Sequence, residues 1–387
     1  MDRLPFTLEK LDELMEKADI DVLIATSKHN VRYLLGGYQF IFFSAMDAIG
    51  HSRYLPVLIY AKGNPQHSAF VGNKMEGGEA QNHPFWVDTF KPATWNSKEA
   101  IALANAHIKA CGYSNPRIGI EPSFMPIDAY QVLQQAHPDL SLTNATPLLE
   151  RLRAVKSAAE LDLLKLATEK ISASMMATIQ AAQEGWSKFD IIERLKSEEL
   201  QRGLMFEYCL LTLGASHNRA ASSQTWEAGE MLSIDSGGNF AGYVGDICRV
   251  GVLGEPDNEL KDLLAQVEEV QQSAFAKIAP GVRGRDVIDA ANTVKAAIGC
   301  GDFTDFFAHG MGIITHEAPF LVTNHPVTYE AEDAERPLES GMVLSVETTM
   351  LHPKRGYIKL EDTVAVTTDG YELYAADSRG WNSSSFG

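Results

Sequence analysis

The stretch MLSIDSGGNFAGYVGDICRVGVL, residues 231–253, places Asp235 and Asp246 in two apolar runs joined by a glycine-rich segment. This pattern predicts an antiparallel hairpin with one carboxylate on each strand, the two carboxylates opposing each other across the pair. An unpaired buried charge is costly, so a fold that buries this hairpin must place positive charge beside both aspartates. A single aspartate next to glycine is more often a turn residue, and the hairpin alone leaves that alternative open.

Three further apolar segments carry a group that can bind a metal ion. His309 and His316 lie in FFAHGMGIITHEAP, Glu347 ends the run MVLSVE, and Glu361 lies in IKLEDTVAV. Taken singly, each histidine could be a hydrogen-bonded structural residue, and Glu361 could lie at a solvated strand edge. Two divalent cations would neutralise the four carboxylates together, and a metal pair acidifies a bridging water into a nucleophile. The set therefore predicts a hydrolase.

Length and hydrophobic periodicity predict two domains. A chain of 387 residues exceeds the usual size of a single hydrophobic core. Residues 1–153 alternate strand-like runs with amphipathic stretches, which predicts a small mixed α/β domain. Residues 154–387 begin with a helical period and contain two units of helix, glycine turn and second helix, ending in GWSKFDII and GVRGRDVI. This repeat predicts a pseudo-twofold domain with a ligand cleft between its halves.

The charge balance argues against a nucleic-acid or membrane partner. Thirty-three basic residues face 51 acidic ones, a formal net charge of −18, which is the wrong sign for binding phosphate or anionic lipid. The N-terminal residues resemble neither a signal peptide nor a membrane span. The four cysteines form no CxxC pair, so neither a disulfide framework nor a thiolate zinc site is indicated. We therefore expect a cytoplasmic protein.

The ordered motifs resemble those of the pita-bread metallohydrolases, a family that includes prolidase, Xaa-Pro aminopeptidase, methionine aminopeptidase and creatinase. The matching segments are DSG at 235, DICR at 246, HGMGIITHEAP at 309, VE ending at 347 and IKLED at 358–362. They span roughly residues 154–375, and NVRYLLGGY at 30–38 resembles the family's N-x-x-Y-L-x-G-Y. The resemblance implies an α/β (α+β) protein in which a small mixed domain precedes a pseudo-twofold domain with a curved antiparallel sheet and flanking helices.

The resemblance also implies a ligand set for two metal ions. Asp235 and Asp246 would bind one ion, Asp246 and Glu361 would bridge both, and His309 and Glu347 would complete the second. Oxygen ligands with a single imidazole suit manganese, with cobalt, iron or zinc as alternatives.

Further roles follow from the same resemblance. Glu347 would also act as general base, and His316 would contact the substrate or the developing oxyanion. The family's third histidine aligns with Asn218, so we expect His217 to fill that role; a surface-loop histidine is the alternative. Lys359 stands where prolidase-like members tend to have arginine, and we expect it to contact substrate as a point charge.

Residues of the N-terminal domain are expected to complete the pocket across a homodimer, as in the resembling enzymes. The candidates are Phe40, Phe42, His51 and Arg53, because an aromatic run beside a cation suits an apolar pocket that closes on a carboxylate. The alternative is an ordinary buried strand followed by a surface loop.

The resulting functional hypothesis is a two-metal hydrolase that cleaves an amide bond, most simply the X-Pro bond of a short peptide. One alternative keeps the fold but acts on a small metabolite, as a creatinase-like or ectoine-hydrolase-like hydrolase or a lyase. The other is a non-catalytic binding protein on the same scaffold.

Overall fold

The computed structural model describes residues 4–44, 48–49, 52–82, 84–138, 142–322 and 331–384. The chain divides into two compact units, Met1–Arg153 and Ala154–Gly387. Within the described residues, none of the helices combines the length and the apolar character needed to cross a membrane.

The first unit is built on a mixed sheet flanked by helices. Its strands run in the order β6-β5-β4-β1-β7-β8, with β2 and β3 as a separate hairpin. The strands are β1 Val22–Ala25, β2 Ala48–Ile49, β3 Ser52–Arg53, β4 Val57–Ala61, β5 Ala69–Asn73, β6 Thr89–Thr94, β7 Ile118–Ile120 and β8 Leu142–Asn144. The helices are α1 Leu8–Lys17, α2 Lys28–Leu34, α3 Ile41–Ser44, α4 Glu79–Asn82, α5 Ser97–Ala110, α6 Ile127–Ala136 and α7 Thr146–Ala154.

The motif NVRYLLGGY has a structural role inside this unit. Asn30 is buried in α2, and its amide donates to Glu121 Oε1 over 2.6 Å while Arg153 donates to its oxygen. Tyr38, at the end of the motif, donates its hydroxyl to the buried Glu76 over 3.0 Å. These bonds satisfy buried polar groups and join segments that are distant along the chain.

The second unit consists of two similar halves. The first half is α8 Ala158–Ala181, α9 Lys188–Gln201, β9 Met205–Leu213, β10 Met231–Phe240 and β11 Tyr243–Val252. The second is α10 Asn258–Phe275, α11 Gly284–Lys295, β12 Thr304–Gly310, β13 Glu317–Phe320, β14 Val343–His352 and β15 Gly356–Val366, followed by β16 Tyr371–Leu373 and β17 Trp381–Ser383. Each half therefore places a helix pair before antiparallel strands.

The strand order of the second sheet supports the predicted pseudo-twofold arrangement. The order is β13-β12-β14-β15-β11-β10-β9, so the last long strands of the two halves, β15 and β11, lie side by side. The glycine turns of the two helix pairs also match, since Gly185 has φ 81° and Gly281 has φ 85°, a backbone conformation that glycine adopts at low cost. The mixed first sheet and the antiparallel second sheet confirm the predicted fold class.

Side-chain alternation gives the second sheet one helix-covered face. Leu232, Ile234 and Ile247 pack with α8 and α9, and Leu344 and Val346 pack with α10 and α11. Each intervening position points to the other face. That opposite face receives the carboxylates and the histidine described below.

The first two helices of the second unit begin at side-chain caps. Ser157 and Glu160 form a capping box at the start of α8, and Ser187 and Asp190 do so at the start of α9, which satisfies exposed backbone N–H groups. Gly245 on β11 allows α8 to approach closely, because a Cβ there would lie 2.6 Å from the Ala167 carbonyl carbon. The helix layer is thereby held tightly against the strands that carry the site.

Candidate metal centre

Neighbouring strands of the second sheet bring five potential metal ligands together. The register pairs Glu347 on β14 with Glu361 on β15, and pairs Glu361 in turn with Cys248, which is opposite Asp235. His309 lies on β12, adjacent to β14. All five side chains, Asp235, Asp246, His309, Glu347 and Glu361, belong to buried residues.

The five side chains form two groups that share Glu361. Asp235, Asp246 and Glu361 form one group, and His309, Glu347 and Glu361 form the other. Within each group the ligand atoms lie within 4.8 Å of one another. This arrangement has the spacing and donor types of a site for divalent cations.

The two aspartates lie diagonally across the hairpin and do not oppose each other, which corrects the expectation from sequence. Asp235 pairs with Cys248, and Asp246 pairs with Gly237, so the aspartates share one face with an offset of two residues. Gly237 is also required by Tyr208, whose ring carbon would lie 2.5 Å from a Cβ at that position. The Tyr208 hydroxyl donates a hydrogen bond to Asp246.

His309 is oriented with one nitrogen facing the acidic cluster. Its Nδ1 lies 2.9 Å from the Gly310 carbonyl oxygen, to which it can donate, and its Nε2 lies 3.0 Å from Glu347 Oε1. A backbone hydrogen bond at Nδ1 leaves the Nε2 lone pair for a metal, as is usual for ligating histidines. The pKa of His309 is raised: burial opposes its protonation, but the hydrogen bond and charge of Glu347, the Gly310 carbonyl and the Asp246 charge together outweigh burial.

Lys359 lies inside the carboxylate cluster and also contributes to the cavity lining, so its contact with substrate stays a prediction. Its Nζ is 2.6 Å from Asp235 Oδ2, 2.5 Å from Glu347 Oε2 and 2.8 Å from Glu361 Oε2. The side chain is only 5% exposed. Burial opposes its charge, but the three carboxylates raise its pKa well above the usual value.

The carboxylates have sharply different proton affinities. Burial and the Asp235 charge raise the pKa of Asp246 to about 7. Burial, with the charges of Asp246 and Glu347, raises the pKa of Glu361 well above its usual range. For Glu347, burial is outweighed by the Lys359 charge and the His309 hydrogen bond, and the pKa is lowered. Burial and mutual repulsion among these acids thus oppose full ionisation of the cluster.

These residues fit the predicted divalent ions. Lys359 and Arg219 are the permanent cations in contact with the four carboxylates within the part of the chain that the structure describes. Two of the four negative charges therefore have no counter-charge. This excess of negative charge contributes to the raised pKa values of Asp246 and Glu361. Carboxylate oxygens and imidazole nitrogen bind manganese, iron, cobalt or zinc.

A cavity of about 610 Å³ opens beside the cluster. Asp235, Asp246, Glu347, Glu361 and Lys359 contribute to its lining, together with apolar groups from Leu210, Phe306, Phe307 and Leu351. Its volume is that of an ordinary small-ligand pocket. The cluster is therefore reachable by a molecule the size of a short peptide.

Two predicted histidines also line this cavity. The ring of His316 stacks on that of His309, with centroids 3.8 Å apart and an interplanar angle of 8°. His217 is exposed, and its Nε2 lies 3.2 Å from the His352 carbonyl oxygen. Asn218, its neighbour, does not line the cavity. His217, the histidine expected from the sequence, therefore lines the cavity.

The predicted N-terminal contacts lie in the first unit, and only part of that set is described. Phe40 and Phe42 are in ring contact at 5.1 Å, and Phe42 is buried against Tyr54 at 5.3 Å. Residues 41–44 form a short helix where a strand was the alternative expectation. Arg53 is exposed on β3, and His51 lies outside the described residues. Their part in substrate binding stays a prediction.

Arg219 and Tyr208 contact the cluster and were not predicted from the sequence. Arg219 forms an ion pair with Asp235, and its guanidinium lies over the Tyr357 ring at 5.0 Å. Tyr208 reaches Asp246 from β9. Tyr208 could be identified only from the strand register, which places it opposite Gly237. Arg219 could have been proposed from the sequence, because it lies two residues after His217 in the same segment.

The chain matches two family models over nearly its whole length. The model of metallopeptidase family M24 matches residues 162–368, and the model of the creatinase/prolidase N-terminal domain matches residues 7–155. Similar curated proteins include an uncharacterised peptidase of Bacillus subtilis, 25% identical over 94% of this chain and 96% of that protein. Another is an Xaa-Pro dipeptidase of Pyrococcus horikoshii, 26% identical over 96% and 97% of the two chains.

Solved structures share the fold across both units. An Xaa-Pro dipeptidase from Bacillus anthracis aligns with a TM-score of 0.80 and 22% identity, covering 97% of this chain and 98% of its own. An X-Pro aminopeptidase from Thermotoga maritima aligns with a TM-score of 0.78 and 19% identity, covering 97% and 99%. These similarities extend over the strands that carry the acidic cluster.

Proposed function

The chain belongs to metallopeptidase family M24 and is a metal-dependent hydrolase, and from this premise we propose that it cleaves the X-Pro bond of short peptides with two divalent ions. The family resemblance predicted from the motifs is confirmed. The specificity and the number of ions go beyond family membership.

One observation carries the proposal for two ions. The two groups of buried ligand atoms share Glu361, so a single carboxylate can serve both positions. Divalent ions would also supply positive charge to the carboxylates, whose burial and crowding otherwise raise the pKa of Asp246 and Glu361. Asp235, Asp246 and Glu361 would hold one ion and His309, Glu347 and Glu361 the other, with manganese as the preferred metal. The additional bridging role expected for Asp246 stays a prediction. When bound, such ions acidify water and polarise the scissile carbonyl.

The chain's own groups supply proton transfer and positioning. Glu347 is ionised because Lys359 and His309 lower its pKa, so a carboxylate oxygen can accept a proton and return it to the leaving nitrogen. His316 and His217 line the cavity, and we propose that their N–H groups hydrogen-bond the carbonyl oxygen as charge develops there. Phe306, Phe307 and Leu351 form an apolar wall that excludes water and suits a proline ring.

X-Pro specificity is supported by the relatives' names, since those of Pyrococcus horikoshii and Lactobacillus helveticus are called Xaa-Pro dipeptidases. The expected homodimer and the cytoplasmic location stay predictions.

The test is a substrate panel with metal-free protein reloaded with manganese, cobalt, iron or zinc. The panel contains X-Pro dipeptides, longer peptides beginning with X-Pro, matched X-Ala peptides and small amides. We expect turnover of X-Pro peptides, best with manganese, and none after chelation. Metal-dependent turnover of small amides alone would contradict the peptide specificity, and turnover that is unchanged in chelator would contradict the metal mechanism.

A further inference from the structure

Lys359 contacts three carboxylates of the proposed metal centre, and the proposed peptidase chemistry uses only its contact with Glu347. Its ammonium lies within 2.8 Å of one oxygen from each of Asp235, Glu347 and Glu361. Asp235 belongs to one proposed ligand group, Glu347 to the other, and Glu361 to both. The contact with Asp235 Oδ2 is also a hydrogen bond, whereas Glu361 Oε2 is held by charge alone, with no hydrogen-bond partner among the described residues.

The position of Lys359 on β15 directs its ammonium group toward the carboxylate cluster. Lys359 is on β15, opposite Thr349 and two residues before Glu361, so its side chain points to the same face as that carboxylate. Strands β14 and β11 lie on either side of β15, and the side chain is 5% exposed. A compact ammonium in this position acts as a fixed point charge.

We propose that Lys359 is a built-in counter-ion that substitutes in part for divalent metal. In the metal-free protein it neutralises one of the four carboxylate charges through ion pairs with three of the carboxylates. In the metal-loaded protein it is a cation beside two other cations and repels both. It therefore stabilises the metal-free fold and weakens metal binding. The proposal rests on the metal centre described under the proposed function.

Two opposite effects of removing this charge follow. A neutral side chain leaves the carboxylates crowded, so the metal-free protein should unfold at a lower temperature. The same change removes repulsion at a few ångströms from the incoming ions, so manganese should bind about tenfold more tightly or better. Because an ion that binds only the folded state stabilises it, the rise in Tm caused by manganese should become larger.

The experiment compares the parent protein with Lys359→Met and Lys359→Arg. Each is stripped with chelator and dialysed, and Tm is then measured without metal and with saturating manganese. Manganese affinity is measured by calorimetry. We expect Lys359→Met to lower Tm without metal, to enlarge the manganese-induced rise and to lower the Kd. Lys359→Arg keeps the charge and should stay close to the parent in all three.

Lys156→Met is the matched control. Lys156 is also a buried lysine in an ion pair, 2.9 Å from Glu317, with both side chains 1% exposed, but it contacts none of the proposed ligands. Its loss should lower Tm equally with and without manganese. A merely structural role for Lys359 would give the same pattern.

The failures are distinguishable. If the parent binds no manganese, the proposed metal centre is wrong. If the parent binds manganese and Lys359→Met shows an unchanged Kd and an unchanged manganese-induced rise, the counter-ion proposal alone is wrong. A Lys359→Met protein that stays unfolded even in saturating manganese would also overturn it, because the ions should then supply the missing charge.

Discussion

His309 and His316 are stacked neighbours to which we assign different roles. His309 Nε2 faces Glu347 within the acidic cluster, whereas His316 lies on the outer side of the His309 ring and lines the cavity. A ligand and a substrate-contacting group should respond differently to the same substitution. Metal content separates the two roles because it does not depend on turnover.

We predict that His309→Ala loses bound metal and activity together. His316→Ala should keep its metal and lose kcat/KM by about a hundredfold or more, because a hydrogen bond to the developing oxyanion is removed. Elemental analysis after dialysis and steady-state kinetics with an X-Pro dipeptide measure both effects. Loss of metal in His316→Ala would contradict its assignment as a substrate contact.

Glu199 is a buried carboxylate outside the metal cluster that should make stability depend on pH. It lies on α9 and accepts a weak bond from the Ser236 hydroxyl at 3.4 Å, and its Oε2 has no hydrogen-bond partner among the described residues. Burial raises its pKa to about 8. The folded state therefore holds a proton that the unfolded state releases near pH 4, and stability is lost as pH rises from about 4 through about 8.

Glu199→Gln removes this titration. The variant should be about as stable as the parent near pH 5 and more stable, on the order of a few kcal/mol, at pH 9. Urea unfolding at both values in the same metal state measures the difference. Glu193→Gln, on an exposed part of the same helix, is the control and should show no such trend. A stability difference that is independent of pH would contradict the raised pKa.

At the scale of elements, α9 fixes the connection between β9 and β10 that forms part of the cavity wall. Lys188, at the start of α9, is fully buried, and its ammonium donates to the backbone oxygens of Asn218 and Ala220. The Lys188 backbone N–H also bonds the Gln224 carbonyl over 3.0 Å. The connection so held carries Arg219, which contacts Asp235.

We predict that Lys188→Met destabilises the protein by about 1 to 3 kcal/mol, because buried carbonyls lose their donor. It should also raise KM for X-Pro dipeptides, since the wall segment loses its support, while metal content stays unchanged. Lys196→Met, which removes an exposed pair on the same helix, is the control for charge loss. If Lys188→Met lowers stability but leaves KM unchanged, Lys188 has only a structural role and the predicted effect on the cavity wall is wrong.

The β10–β11 hairpin shows why the sequence predicted the two strands but not the relative position of Asp235 and Asp246. The apolar runs located both strands, but the offset of the aspartates depends on the turn. Ala241 and Gly242 form a two-residue turn with φ values of 48° and 93°, as in the tight hairpin turns that suit twisted strands. That turn pairs Phe240 with Tyr243, which sets Asp235 and Asp246 two residues out of register. The sequence alone does not specify this register, because a glycine-rich segment can form its turn at several positions.

At the scale of the whole molecule, the motifs carried most of the information about the centre. The order of the motifs identified the strands that carry His309, Glu347 and Glu361. Hairpins and the repeated helix pairs then bring these strands together in one sheet. The direction of the Lys359 side chain was not predictable, since an ammonium can reach either a substrate or a carboxylate until its neighbours are placed. The same holds for Arg219, whose partner Asp235 is brought to it only by the folded sheet.

The central claim is that the buried acidic cluster holds two divalent ions and that Glu361 serves both. The most direct test is the manganese stoichiometry of stripped and reloaded protein, measured by elemental analysis and calorimetry for the parent and for Glu361→Gln. Glu255→Gln, at an exposed acid away from the cluster, is the control. We expect two ions per chain in the parent and in the control, and less than one in Glu361→Gln. Two tightly held ions in Glu361→Gln, or none in the parent, would contradict it.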